Sequence, residues 1–381
     1  VSVPERLLLG PGPSPISARV MRAMTNPVLS HLDPEMVRLL DDVRAKIAWV
    51  FGAGEGAASL AVSGTGTAGM EAAVANVAAT GMRVAVVVNG YFGDRLAQIF
   101  TRYGADVTRI ESDWGRACDP ALVERRLDGP IDLLAAVHAE TSTGVLNPIE
   151  DLARLASARG ALTLADAVTS LGGMPLRTGA WGIDICYSCS QKGLGAPSGF
   201  APITFSARAL ERRVPSRSFY LDLELLEDYW VRRKYHHTLS APLLYALREA
   251  LAAAAEEGLD ARWARHERNH RALAAGLEAL GLSLLPPAGE RLWTLNAIRV
   301  PDGVDEAAVR RALLDQFSIE VGAGLGPLAG RIWRVGLMGA GSTLANVMLF
   351  LTALEHVLRE QGRAAPAGGA AVVAAEAAAA R

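Results

Sequence analysis

Apolar and polar positions change register in blocks along the first two hundred residues. Asp33-Pro34 predicts a helix start, and Met36, Leu40, Val43, Ile47 and Val50 follow at helical spacing. LAVS (60–63) predicts a short strand and AGMEAAVANVAA a helix after it. MRVAVVV (82–88) and IDLLAAVH (131–138) are continuous apolar runs of the kind found in strands buried on both faces. Between them GDRLAQIFTRYG predicts a helix ending on Gly104, DVTRIES a strand, and Asp119-Pro120 another helix start. Asn147-Pro148 is expected to cap a helix running to Gly160, and ALTLAD, IDICYS and FAPITFS read as strands. Strands alternating with helices predict a mostly parallel sheet covered on both faces, with ligands at the carboxyl ends of its strands. Beyond about residue 255 the pattern turns to long helices and sparser strands (LWTLNAIRV, SIEVGAG, RIWRVGLM), as in a second, α+β unit. The alanine-rich end APAGGAAVVAAEAAAAR reads as a frayed helix or disorder.

Composition narrows the class. Half of the 381 residues are hydrophobic and the net charge is −2, which gives no electrostatic case for nucleic acid or an acidic membrane surface. No apolar run reaches the roughly 18–20 residues of a membrane span. Cys118, Cys186 and Cys189 form no disulfide framework, and the first residues lack the layout of a signal peptide, so a cytoplasmic α/β enzyme is expected. The chain has only three lysines, Lys46, Lys192 and Lys234, against 35 arginines among its 38 basic residues. Arginine serves equally well as a surface charge but stays protonated, whereas a desolvated lysine can attack a carbonyl. Lys46 lies in a patterned helix and Lys234 in the charged run VRRKYHH, where both read as solvated charges. Lys192, in YSCSQKGLGAPSG just past an apolar strand, is the candidate for chemistry.

Two further features join it. Asp166 ends the strand ALTLAD; it reads equally as an N-cap for AVTSLGG or as a carboxylate awaiting a cation. AVSGTGTAGMEAAVANV (61–77) is a glycine- and threonine-rich turn into a helix, a good cradle for one phosphate. Its literal G-x-G-x-x-G raises a dinucleotide reading and hence an NAD-dependent dehydrogenase, but the next strand ends in Asn89-Gly90 rather than an acid. His266-Glu267-Arg268-Asn269-His270 satisfies H-E-x-x-H, yet Arg262, Arg265, Arg268 and Arg271 crowd it, and the helix reads as a solvated surface with no metal. Arg334, within RIWRVGLMG, reads either as a strand-end charge or as a clamp for a substrate carboxylate. A lysine amine, a buried aspartate and a phosphate cradle together suit pyridoxal 5'-phosphate (PLP), whose ring nitrogen a carboxylate keeps protonated.

With these residues assembled, the chain resembles the alanine–glyoxylate and serine–glyoxylate aminotransferases of class V, fold type I. The resemblance runs from about residue 7 to 360 through LLLGPGPSP, HLDPE, SGTGTAGMEA, NGYFGDR, HAETSTGVLNP, LADAVTSLGG, YSCSQKGLGAPSG, YHHT and IWRVGLMG. It implies a large, mostly parallel-sheet PLP-binding domain (17–256), preceded by an arm (1–16). A smaller α+β domain (257–363) and a low-complexity tail (364–381) follow. Lys192 then holds the cofactor covalently and Asp166 binds its pyridinium. Thr65, Gly66, Thr67 and Gln191 hold the phosphate, with Tyr235 and Thr238 from the partner of a homodimer. Thr141 lies near the ring hydroxyl, Arg334 takes the substrate carboxylate, and Phe92 stands where the family often has a stacking tryptophan. The implied reaction moves an amino group from L-alanine or L-serine to glyoxylate. Ureidoglycine–glyoxylate aminotransferase is the nearest alternative, although its members tend to carry Gln and Asn where this chain has His31 and Tyr235. Cysteine desulfurase shares the fold but needs a mobile-loop cysteine that this chain lacks.

Overall fold

A computed structural model describes residues 3–363 and 369–379. Its centre is a seven-stranded sheet: β1 (Ala58–Gly64), β2 (Arg83–Val88), β3 (Asp106–Glu111), β4 (Leu133–Val137), β5 (Leu162–Asp166), β6 (Ile185–Tyr187) and β7 (Gly199–Phe205). Their spatial order is 1-7-6-5-4-2-3. β7 runs antiparallel to both neighbours and the other pairings are parallel, so every strand except β7 points the same way. The carboxyl ends of β1, β2, β4, β5 and β6 therefore meet along one edge.

Helices cover the sheet. α1 (Pro34–Phe51) starts where Asp33 accepts the Glu35 N–H and stops at Gly52, whose φ of 59° suits a glycine cap. Met36, Leu40, Val43, Ile47 and Val50 are all buried, as their spacing requires. α2 (Gly66–Ala75) follows β1 and buries small residues on the sheet. At Gly69 a Cβ would lie 2.9 Å from that of Ala201, so the helix lies too close for any side chain there. α3 (Tyr91–Arg102) follows β2.

The expected cap at Asn147 is not formed. The helix runs from Ile149 to Ala158 with no side-chain cap, and Asn147 instead serves the core. Its amide donates to Val137 O and Asn89 and accepts from Cys118 N–H, joining loops that follow two strands. A buried amide wants all its bonds, and three partners outweigh one cap.

A three-stranded antiparallel sheet lies C-terminal: β8 (Leu295–Arg299), β9 (Gly322–Ala323) and β10 (Ile332–Gly336), with β10 in the centre. SIEVGAG, read as one strand, is split. Ile319–Glu320 pairs in parallel with Leu7–Leu8, and only Gly322–Ala323 joins β10. These strands share a hydrophobic cluster with α4 (Leu259–Ala279) and α5 (Leu344–Glu360), distinct from the larger cluster around the seven-stranded sheet. Of the alanine-rich end, residues 364–368 and 380–381 lie outside the described residues. Ala370–Ala379 forms helix α6 against α4 and α5, neither frayed nor disordered, with Ala370 and Ala374 buried. Alanine is the best helix former, and Gly276 lets the α6 backbone come close. Among the described residues no helix is long and apolar enough to cross a membrane.

Candidate active site

The shared strand edge opens into a cavity of about 330 Å³. Thr65, Gly66 and Thr67 after β1, Phe92 after β2, Asp166 at the end of β5, and Gln191 and Lys192 after β6 all line it. Seven of the eleven candidate residues thus converge from four loops spread over more than a hundred residues of sequence.

Asp166 is 2% exposed. One carboxylate oxygen accepts the Val168 N–H at 2.8 Å and so shapes the turn that leaves β5. The other accepts the Tyr187 hydroxyl at 2.7 Å, from the neighbouring strand β6. The expected helix cap is not formed, since residues 168–173 make turns and no helix follows there; the carboxylate shapes that turn instead. Burial pushes its pKa up to about 6, against the pull of these two donors and of the Lys192 and Arg95 charges. An unpaired carboxylate in that position is stabilised by a cation placed beside it.

Lys192 is held in a loop rather than displayed to solvent. Its amine donates to Pro11 O, and its own carbonyl accepts from the Ser14 hydroxyl at 2.8 Å. The N-terminal segment thereby crosses from the three-stranded layer to the lysine loop. Gly12, with φ +115°, leaves the space the lysine uses: a Cβ there would lie 2.7 Å from Lys192 Cδ and Cε. Burial lowers the pKa of Lys192, and the Arg334 charge lowers it further while Asp166 opposes. Lys46 and Lys234 pair with Asp42 and Asp228.

At the start of α2, Thr65 takes the N-cap position with no side-chain hydrogen bond of its own. Its hydroxyl and the first free N–H groups of the helix are left for an anion. Val168 Cγ2 lies 3.1 Å from where a Gly66 Cβ would be, so the turn passes close to the loop after Asp166 and a larger residue would push on it. Gln191 Oε1 is buried without a hydrogen-bond partner.

Thr141 and Arg334 lie beside the cavity rather than in its lining. Arg334 is buried, not at a strand end reaching solvent. It occupies the middle of β10, donating to Ala323 O at 2.7 Å and Thr141 O at 3.2 Å. Burial lowers its pKa to about 10, with Glu140 opposing, so it stays cationic at neutral pH. Glu140 was not singled out in the sequence. Fully buried, it accepts from Ser142 N–H, the Ser142 hydroxyl and Gly93 N–H, and the Ser142 hydroxyl also accepts Tyr91 N–H at 2.9 Å. The segment 140–142 thus fixes both the start of α3, with Phe92, and the Arg334 side chain. Burial raises the Glu140 pKa to about 6. Arg95, Gly12, Pro13 and Ser198 also line the cavity. Only HAETSTG and the spacing Phe92 to Arg95, one helical turn, pointed toward the first two of these missed residues.

Tyr235 and Thr238 are exposed and outside this cavity, with their hydroxyls 3.5 Å apart. The H-E-x-x-H helix is not a solvated surface. His266 and His270 are buried, and burial lowers their pKa values to about 3 and 4. His266 donates to Arg262 O and accepts the Gly339 N–H, and His270 donates to Asn296. Both serve as neutral packing groups between α4 and the loops beside it.

The chain matches the family model "Aminotransferase class-V" over residues 7–332. The alanine–glyoxylate aminotransferase of Drosophila melanogaster is 37% identical, over 94% of this chain and 93% of its own. The crystal structure of alanine–glyoxylate aminotransferase from Nostoc sp. is 47% identical with a TM-score of 0.92, covering 94% of this chain and 97% of that one. That of ureidoglycine–glyoxylate aminotransferase from Bacillus subtilis is 36% identical with a TM-score of 0.96, covering 99% of both.

Proposed function

The chain belongs to the class V aminotransferases, and on that premise we propose that it moves the amino group of a small amino acid, L-alanine or L-serine, to glyoxylate. The observation that carries this reading is the cavity itself: lysine, buried aspartate and phosphate cradle line one space, beside a buried arginine. Alanine–glyoxylate aminotransferases among its relatives supply the substrates.

PLP fits the residues present. Asp166 lacks a paired cation, and the α2 N-terminus and Thr65 lack an anion. Thr65, Gly66, Thr67 and Gln191 would hold the phosphate, Asp166 the pyridinium, Phe92 the ring face and Lys192 the aldehyde carbon. When bound, PLP supplies an electron sink for the bonds at the substrate's Cα. The chain's own groups do the rest. Lys192 Nζ, its ammonium disfavoured by burial, takes a proton from Cα and can return one nearby. Arg334 orients the substrate carboxylate, with its guanidinium preset by Ala323 O and Thr141 O. Asp166 stays ionised once a cation sits beside it.

Tyr235 and Thr238 are assigned to the partner's phosphate site in a homodimer. Their exposure beside other exposed large side chains, Phe219, Tyr220 and Val231, supports that assignment. The division at 16, 256 and 363 and a cytoplasmic setting complete the proposal. His31 and Tyr235 form a ring pair 5.0 Å apart and offer no amide for a ureido group, which favours the alanine reading over ureidoglycine. Nothing but the glycine pattern supports a dehydrogenase.

The test is a half-reaction on the purified holoenzyme. L-Alanine or L-serine is expected to bleach the visible absorbance, and glyoxylate to restore it with formation of glycine. Indifference to both donors, with bleaching by ureidoglycine, would replace this reading with the alternative.

A further inference from the structure

Two cations line the cavity, Lys192 and Arg95. About half of the arginines are matched: Arg19, Arg83, Arg109, Arg116 and Arg232, for example, each meet a carboxylate. Among the described residues Arg95 meets none. The neighbouring acids Asp94, on its own helix, and Glu71, on α2, are engaged elsewhere. Asp94 is held by Arg109 at 2.7 Å and Gln98 at 2.6 Å, and Glu71 accepts the Tyr103 hydroxyl at 3.2 Å. The guanidinium of Arg95 is nonetheless fixed. Its carbon sits 5.1 Å from the ring centroids of both Tyr91 and Phe92, and Nη1 donates to Thr67 Oγ1 at 3.0 Å. A preset guanidinium facing a cavity whose one lining carboxylate, Asp166, is already bonded to Val168 N–H and the Tyr187 hydroxyl is an anion-binding group.

We propose that Arg95 is the cation of the phosphate subsite, an inference that rests on the reading of this cavity as a PLP site. The assigned phosphate ligands, Thr65, Gly66, Thr67 and Gln191, are all neutral. The α2 dipole adds roughly half a positive charge, against about 1.5 to 2 negative charges on a phosphate monoester at pH 7. Lys192 would be committed to the aldehyde carbon, and Arg334 is turned to Ala323 O and Thr141 O outside the lining. Arg95 is the cation left, and its bond to Thr67, in the first turn of α2, places it on the cradle. The same turn-to-turn spacing on α3 couples it to Phe92, so one helix supplies both the ring-stacking face and the phosphate charge.

The experiment compares two ligands that differ only in the phosphate. The full-length chain is stripped of cofactor, and PLP and pyridoxal are titrated into wild type, Arg95→Gln and Arg95→Lys by visible absorbance. The expected result for Arg95→Gln is PLP binding about 10- to 100-fold weaker, the effect of losing a charged hydrogen-bond donor, with pyridoxal binding within about twofold of wild type. Arg95→Lys is expected to fall between, since it keeps the charge and loses the fork. Equal weakening of both ligands would reduce Arg95 to a structural role and overturn the proposal. So would unchanged PLP affinity with a raised KM for the amino donor, which would assign Arg95 to a substrate carboxylate. Failure of wild type to bind either ligand would instead bring down the PLP reading beneath it.

Discussion

Asp166 shows how a residue's burial is tied to the ligand it serves. Its pKa stands near 6 rather than 3.8 because ionising it inside the sheet edge is costly without a cation. A carboxyl whose folded pKa is raised holds its proton more tightly in the folded chain than in the unfolded one. Its contribution to stability is complete below about pH 4 and is lost as the pH rises through about 6. Cofactor-free Asp166→Asn is therefore expected to melt higher relative to wild type at pH 8 than at pH 5, and thermal melts at both values check it. A gap that shrinks with pH would contradict the assignment. Glu140 shifts in the same direction, in part through the Asp166 charge, so removing that charge also eases Glu140 and acts in the same sense. At this scale the sequence was most informative where a residue was rare: three lysines made Lys192 conspicuous. Glu140 and Arg95 were hidden because acids and arginines are common, and only the burial of the one and the place of the other on the cavity wall set them apart.

Elements were legible where periodicity was strong. α1 follows its apolar spacing and its Asp33 and Gly52 caps, and the buried strands follow their apolar runs. What the pattern could not convey was direction: nothing in FAPITFS announces that β7 alone is reversed, because register and sense are set by the partners. Local rules also failed where tertiary bonds outcompeted them, as at Asn147. α4 gave the opposite lesson. Its arginines suggested a wet surface, but Arg262 is itself buried, donating to Gly172 O and Gly193 O. His266 lies against these turns as a neutral donor and acceptor. His266→Ala would leave the Gly339 N–H unpaired beside a cavity, at a cost of roughly 2–4 kcal/mol. Urea unfolding is expected to show that loss, with no compensating effect of zinc on either protein. Stabilisation of the wild type by zinc would restore the metal reading.

For the whole molecule, the arrangement that matters is one sheet edge collecting loops from distant parts of the chain, with the N-terminal segment closing over the lysine. The resemblance carried over most of this site by residue, because the loops at strand ends keep their motifs whatever the packing behind them. Tyr235 and Thr238 lie outside their own chain's cavity, and the proposed homodimer would give them a place. Lys192→Ala and Tyr235→Ala, each impaired alone, are expected to complement when co-refolded. Half the dimers would then be mixed, with one intact site each, giving about a quarter of wild-type activity by statistical assembly. Absence of recovery, with mixed dimers shown to form, would place Tyr235 outside the partner's site. The central claim is that this edge holds PLP on Lys192, and its most direct test is borohydride reduction of the holoenzyme followed by peptide mapping. The account predicts the reduced cofactor on the Lys192 peptide alone, with Lys46 and Lys234 unmodified. Label on either of those lysines, or on none, would contradict it.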